Sequence, residues 1–512
     1  MRFGFSAVVA ALLLATAGPA NAAWYEAVSK HFHVYADESP QQLRAFATKL
    51  ETFEAAVREA RGTPDVDPGA ATQVSVYVLP DIAAIGRLLD GDPRSGVAGF
   101  YDPRATGSVA FVPEQGEIGT YRLNADSVFF HEYTHHLMLE AADRPLPTWL
   151  VEGFAEFFAT PIFNKDGSVT IGAPPRYRAE ALYDAHTFGL PLNKMLTGNY
   201  TALTAIEFES IYGRGWLLTH LLSFDLSRRG QLTRYLNEMA QGIPPLKSAE
   251  DAFGDLKQLD KELDAYFKAD KFTVATIPAS KLHIPPIGVQ PLSPAMAELM
   301  DAQIKFARGG KRLMPGQLAG HARSVVRSYP QDARAATLLS ELELADKDYA
   351  EALKDAGSAL QLDPKNVLAL LAKGSAMMEL AKANPKGADW GSIRSVFAAA
   401  NRLDTEDAEP LILFYRTFAA EGIHPTDNAI DGLKYALVLA PQDAKLRLEY
   451  VGQMLNDGKL SEAHEALVPL AYSPHTGKAH DVVRKILDSV DARNTAQALT
   501  AWQAAEKLYN DD

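Results

Sequence analysis

The sequence contains no cysteine. Disulfides, thiolate metal sites and a lipid carried on an N-terminal Cys are all excluded. It also lacks, beyond its first two dozen residues, any run approaching the eighteen or so apolar residues that a membrane-spanning helix needs. Positive charge is in short supply: 50 Lys and Arg stand against 64 Asp and Glu, a net charge of −14. A nucleic-acid surface calls for the opposite sign, so nucleic acid is not expected as a partner. What is present, 47% hydrophobic and 22% charged residues, is the composition of a folded globular chain. At 512 residues it exceeds one hydrophobic core, and two to four domains are expected.

Met1–Ala22 reads as a cleaved leader. Arg2 gives a positive start, Phe5–Ala17 an apolar stretch, and Ala20-Asn-Ala22 a small-x-small cleavage site. Its loss takes the charge from −14 to −14 − 1 = −15. An exported chain without disulfides fits a bacterial periplasm first and secretion second.

Residues 23–125 read as mixed α/β. Phe32–Tyr35 alternates like a strand, and Thr72–Leu79 is rich in β-branched residues. Pro40–Arg61 repeats its apolar residues at helical spacing, and Ile82–Leu89 reads as a short helix. Gly99–Tyr101 and Ser108–Val112 form a hairpin pattern around Asp102–Gly107.

Residues 126–270 read as nearly all helical, with Arg178–His186 as one of the helices, and hold the most informative stretch, His131–Glu156, HEYTHHLMLEAADRPLPTWLVEGFAE. His131 and His135 are four apart in an apolar run, about 400° around a helix, so both imidazoles leave one face a turn apart. Two such nitrogens can hold one Zn²⁺ at about 2.0–2.1 Å, with a third protein ligand still required. Glu132 lies between them, placed to take a proton from a water that the metal activates. Glu152 and Glu156, one turn apart on the next apolar segment, are the candidates for the third ligand.

This segment resembles the gluzincin metallopeptidases, the group of thermolysin and the zinc aminopeptidases, in which HExxH is followed by a Glu ligand within W-L-x-E-G-x-A. The resemblance implies an α+β catalytic domain of thermolysin/aminopeptidase type, with a mixed sheet and a helical lobe. It implies that His131, His135 and Glu152 are ligands of one zinc, that Glu132 is the general base, and that Glu156 orients a ligand histidine. Sixteen residues separate His135 from Glu152, slightly fewer than in the aminopeptidases. Tyr212-Gly-Arg-Gly-Trp216 resembles their Y-x-K-G turn ahead of a long helix, which makes Tyr212 the donor to the oxyanion and leaves Arg214 without a role. By the same resemblance an edge strand beside the HExxH helix binds extended substrate, with Gly107–Pro113 as the candidate. The aminopeptidases' G-x-M-E-N is replaced by Gly96-Val-Ala-Gly-Phe-Tyr101, without its Glu, so an endopeptidase is expected.

The remaining histidines read differently. His136 lies about 100° around the helix from His135 and faces the sheet or solvent. His220, on an apolar helix, reads as a core residue, and His31 and His33 share a strand face with no carboxylate nearby in sequence.

Residues 271–295 carry Pro278, Pro285, Pro286, Pro291 and Pro294 and read as an extended linker. From 296 to 512 the pattern is helical with a period. Turns at Pro330, Pro364, Thr405, Pro441 and Pro474 are spaced by 34, 41, 36 and 33 residues. That is close to the tetratricopeptide (TPR) period of about 34. Ala352, Ala359, Ala429 and Ala436 stand where small residues let paired helices approach. The long step carries its excess within Ala383–Gly391. The region resembles the TPR family, three to four degenerate repeats forming a solenoid that binds a protein partner or recruits substrate.

The expectation is therefore an exported zinc metallopeptidase acting on a peptide or protein substrate, with a TPR docking domain and no membrane span in the mature chain. A catalytically inactive cell-envelope scaffold and a zinc hydrolase of a non-peptide bond are the alternatives.

Overall fold

The computed structural model describes residues 24–65, 69, 71–95, 97–118, 123–140, 146–178, 189–197, 203–269, 271–310, 313–471 and 480–511. The expected leader, most of a helix expected over 178–186 and the turn marker Pro474 lie outside the described residues.

The chain begins β1 (Tyr25–Val28), β2 (Phe32–Ala36), α1 (Pro40–Arg61), β3 (Val74–Asp81), α2 (Ile82–Leu89), β4 (Phe100–Asp102) and β5 (Ser108–Gln115). Local chemistry sets the bounds of α1. Ser39 and Gln42 form a reciprocal capping box, Pro40 occupies the first turn, and Gly62 at φ 64° closes the end. A two-residue ladder, β6 (Glu117–Ile118) with β7 (Leu123–Asn124), leads into α3 (Ala125–Glu140) and α4 (Thr148–Phe158). There follow β8 (Ile162–Phe163), β9 (Val169–Ile171), α5 (Leu192–Met195), α6 (Ala205–Phe224), α7 (Gln231–Ala240), α8 (Pro245–Phe253) and α9 (Leu256–Lys268).

Residues 271–295, expected as a linker, are built into the fold. β10 (Ala275–Ile277) pairs with β9, and β11 (Gly288–Pro291) pairs with β1. Pro291 is tolerated in β11 because that strand lies at the sheet edge, where a missing N–H costs no ladder bond, while Pro278, Pro285 and Pro286 fall between strands and Pro294 opens the next helix. The main sheet has the order β11-β1-β2-β3-β5-β4, with β2, β3 and β5 parallel and β4 antiparallel to β5. The edge strand near α3 is therefore β4. The strand expected at that edge, β5, is paired on both sides.

Alternation along the strands gives the sheet two apolar faces. Val34, Val76, Val78, Ala110 and Val112 join the core under α1, α3 and α4. Tyr35, Tyr77, Leu79, Val109 and Phe111 face the other way. On that second face Tyr35, Tyr77, Phe111 and Phe100 stack in a ladder with ring centroids 5.2, 5.4 and 4.7 Å apart.

The second face is covered by the C-terminal helices, which begin with α10 (Pro294–Arg308), α11 (Pro315–Ser328) and α12 (Ala333–Ala345). Leu299, Met300, Ile304, Leu338 and Leu342 share one core with the aromatic ladder. The boundary expected at 295/296 therefore passes through a hydrophobic core. The helices continue as α13 (Tyr349–Leu362), α14 (Val367–Lys382), α15 (Trp390–Leu403), α16 (Glu409–Glu421), α17 (Asp427–Leu439), α18 (Ala444–Asn456), α19 (Leu460–Ala471), α20 (His480–Asp491) and α21 (Thr495–Asp511). From α10 to α17 each packs on the next, and α10, α12, α14 and α16 also pack on one another in succession. This is an array of helix pairs whose first four, α10/α11 to α16/α17, stack in succession as a solenoid, while further on α18 packs against α21. Ala352, Ala359, Ala429 and Ala436 are all buried where the helices meet. The excess of the long step forms a short 3-10 turn, Pro385–Gly387, between α14 and α15. No helix of the described residues is long and apolar enough to cross a membrane.

The solenoid also returns to the first part of the chain. Ala71 and Ala105 are buried in the core of its later helices. Ala105 N–H donates to Asp443 Oδ2 (2.7 Å), and the Gln442 amide donates to Ala71 O (2.8 Å) and Arg104 O (3.1 Å). Gly69 is so close to the array that a Cβ there would lie 2.4 Å from Glu406 O.

Candidate metal centre

Phe129, Phe130, Tyr133 and Leu137 anchor α3 in the core, and Asn124 accepts from Ser127 N–H at its start (2.8 Å). With that face fixed, His131 and His135 turn toward α4, and Glu132 toward the cleft beside it. Helix α4 is buried along almost its whole length, with Trp149 and Phe158 among the most enclosed side chains of the protein. It is held against α6 by two glycines. A Cβ at Gly153 would lie 2.3 Å from Gly215 O, and one at Gly215 would lie 2.4 Å from Trp149 O. The Gly of the W-L-x-E-G-x-A stretch is thus a contact point for the backbone of another helix. Gly153→Val should destabilise the fold by about 3 kcal/mol, the cost of forcing apart a close-packed crossing. A urea-unfolding midpoint within error of the wild type would show that the crossing yields freely.

His131, His135 and Glu152 converge, and all three are buried. His131 Nε2 lies 3.0 Å from His135 Nε2 and 3.2 Å from Glu152 Oε2, and His135 Nε2 lies 3.5 Å from the same oxygen. Ligands about 2.0–2.1 Å from a tetrahedral ion stand roughly 3.3–3.4 Å apart, since the edge is about 1.63 times the bond. The two histidine nitrogens and the carboxylate oxygen therefore fit three corners around one small cation. Among the described residues this is the one group of three or more such ligands.

Glu156 lies behind the triad. Its Oε1 is 3.4 Å from His131 Nδ1 and accepts from Arg178 Nε (2.7 Å), while its Oε2 accepts from Tyr177 OH (2.7 Å). A carboxylate on the far ring nitrogen fixes which nitrogen of His131 turns toward the site. Burial works against charging His131, yet the carboxylates of Glu156, Glu152 and Glu132 raise it to about 9. The surroundings strongly favour a cation at this point. Tyr177 and Arg178 were not singled out in the sequence. They reach Glu156 through a Pro-Pro loop and leave no spacing signal.

Glu132 is half-buried and, with His135, lines a cleft of about 670 Å³. Tyr212 sits inside α6 rather than at a turn before it. Its ring lies 6.0 Å from that of His131, with the Arg178 guanidinium 4.4 Å above its face. Burial and the Glu152 carboxylate push its phenol well above the ordinary range, so it remains a hydrogen-bond donor. Arg214 points away and pairs with Asp260 on α9, a strut between helices.

His136 meets the sheet through Tyr101 OH (2.7 Å). His220 is enclosed, its ring nitrogens bonded to Tyr266 OH, Thr273 O and Gly172 O, and burial lowers it to about 4. His31 and His33 do have carboxylate partners, Glu51 (2.7 Å) and Glu26 (2.9 Å), brought from other elements by the fold.

No protein-family model matches the chain, and no curated protein sequence does. Among solved structures, yeast Tom70 is similar with a TM-score of 0.24 and 12% identity, over 74% of this chain and 73% of that one. That likeness is too slight to bear on fold or function.

Proposed function

We propose that the chain is an exported zinc-dependent metallopeptidase of gluzincin type, with a thermolysin-like catalytic part and a TPR-like array that recruits a protein substrate or partner. The single observation that supports it best is the near-tetrahedral spacing of His131, His135 and Glu152 beside an accessible Glu132. His131, His135 and Glu152 would hold a zinc ion, which would supply a Lewis acid able to acidify water and polarise a carbonyl. Glu132 accepts the proton of the attacking water and returns it to the leaving amine. Tyr212 donates a hydrogen bond toward the oxygen on which charge develops. Glu156 keeps His131 in the ligating tautomer. The free edge of β4 offers backbone N–H and C=O groups to an extended peptide. Export to the periplasm rests on the sequence of the first twenty-two residues.

The expected metal content is one zinc per chain, and none in a His131→Ala/His135→Ala double variant. Elemental analysis of protein purified without chelator reads it. Zinc retained in the double variant would place the metal elsewhere. Metal bound but no peptide cleaved across a broad library would favour an inactive scaffold or a non-peptide hydrolase.

A further inference from the structure

The cleft beside Glu132 and His135 has a second wall, and that wall comes from the solenoid. Gln442 before α18, Lys445 and Arg447 in its first turn, Tyr509 in the last helix and Arg308 at the end of α10 line it, together with Arg104 from the first part of the chain. In a chain of net charge −14, this cleft carries four cationic side chains against Asp102, Glu132 and Asp443. Arg104 is answered by Asp102 at 2.6 Å. The other two arginines are not answered. Among the described residues neither Arg308 nor Arg447 has a carboxylate within ion-pairing distance. Arg447 donates to a backbone carbonyl, Pro441 O, at 3.0 Å. Arg308 reaches Leu89 O at 3.3 Å, stacks on Phe100, and its buried Nε finds no acceptor among the described residues. The buried hydroxyl of Tyr509 also has no partner among the described residues. Burial, only partly offset by Asp443, pulls Arg447 down to about 10. A desolvated guanidinium without an anion is costly, and its planar fork matches a carboxylate.

We propose that Arg447 and Arg308, with the Tyr509 hydroxyl, form a specificity pocket for a substrate carboxylate, placing the solenoid inside the active site rather than at a distance from it. As a substrate pocket this rests on the metallopeptidase reading. The carboxylate comes either from an acidic side chain or from the substrate's C-terminus.

The test uses the full-length, zinc-loaded Glu132→Gln protein and three labelled peptides of equal length. One has an internal Glu and an amidated end, one a Gln and a free C-terminal carboxylate, and one a Gln and an amidated end. Anisotropy measures binding, and the wild type is assayed for cleavage of the same three. The expected result is that one of the carboxylate peptides binds about twentyfold tighter than the neutral one, the size of a lost charge-assisted contact. Which of them does so names the source. Arg447→Ala should erase that ratio and Arg447→Lys restore part of it. Arg308→Ala gives an independent reading if the Arg447 variants do not fold. Equal binding of all three peptides, or a ratio that survives in both Arg447→Ala and Arg308→Ala, overturns the pocket, and cleavage by the wild type then leaves the metallopeptidase reading standing. A carboxylate ratio erased by Arg447→Ala, with no cleavage by the wild type, supports the pocket and sinks the metallopeptidase reading instead.

Discussion

Glu132→Gln should retain its zinc and lose roughly a thousandfold in kcat, the range assigned to a positioned general base. Glutamine preserves the size of the side chain and one hydrogen bond, but its amide cannot take a proton at neutral pH. The three converging ligands, His131, His135 and Glu152, are untouched by the change. Metal content and turnover are therefore expected to separate: unchanged zinc by elemental analysis, and near-background hydrolysis. KM should move much less than kcat, because the lost interaction belongs to the transition state. Wild-type turnover in this variant would remove Glu132 from the mechanism, and loss of zinc would mean that the helix itself had been disturbed.

Cutting the chain between residues 295 and 296 should leave neither half soluble on its own. The cut exposes the aromatic ladder of Tyr35, Tyr77 and Phe111 on one fragment, and Leu299, Met300, Leu338 and Leu342 on the other. At about 1.5–3 kcal/mol for each large side chain returned to water, the loss is as large as the total stability of a typical domain. An ion pair goes as well. Burial alone would raise Glu26, but His33, Arg334 and Gln290 bring it down to about 2, and Arg334 comes from α12 at 2.9 Å. Co-expression of the two fragments should recover soluble complex. A folded, monodisperse 296–512 fragment by circular dichroism and light scattering would contradict this and restore the simpler two-domain division.

Much of the candidate metal site could be read from the sequence because it is local. Four residues between two histidines on an apolar helix fix their common face, and α1 and α2 begin and end where their caps and periodicity place them. The misplaced edge strand had a different cause. The sequence shows a hairpin but not which of its strands meets β3, and that pairing is settled by long-range register. The linker reading failed because prolines signal irregular backbone equally well at a sheet edge and in solvent. The continuous apolar runs of β3 and β5 did carry a usable signal. Strands apolar on both faces need cover on both faces, and 271–295 was too short to supply the second. Tyr177, Arg178, Arg308 and Arg447 were not legible, since their meaning depends on partners far away in the chain.

The return of the solenoid to the first part of the chain has a consequence for timing. Ala105 and Asp443 meet across 338 residues of sequence, whereas the ligand-bearing helices α3 and α4 are consecutive elements. Contacts so distant in sequence form late, after the loop between them has been ordered. His131, His135 and Glu152 can therefore converge while the far wall of the cleft is still missing, and the last helix, with Tyr509, completes that wall. On this order of contacts His131, His135 and Glu152 come together before the wall that carries Arg447 and Tyr509 is in place, and the interval between the two events is expected to follow how quickly the C-terminal helices stack.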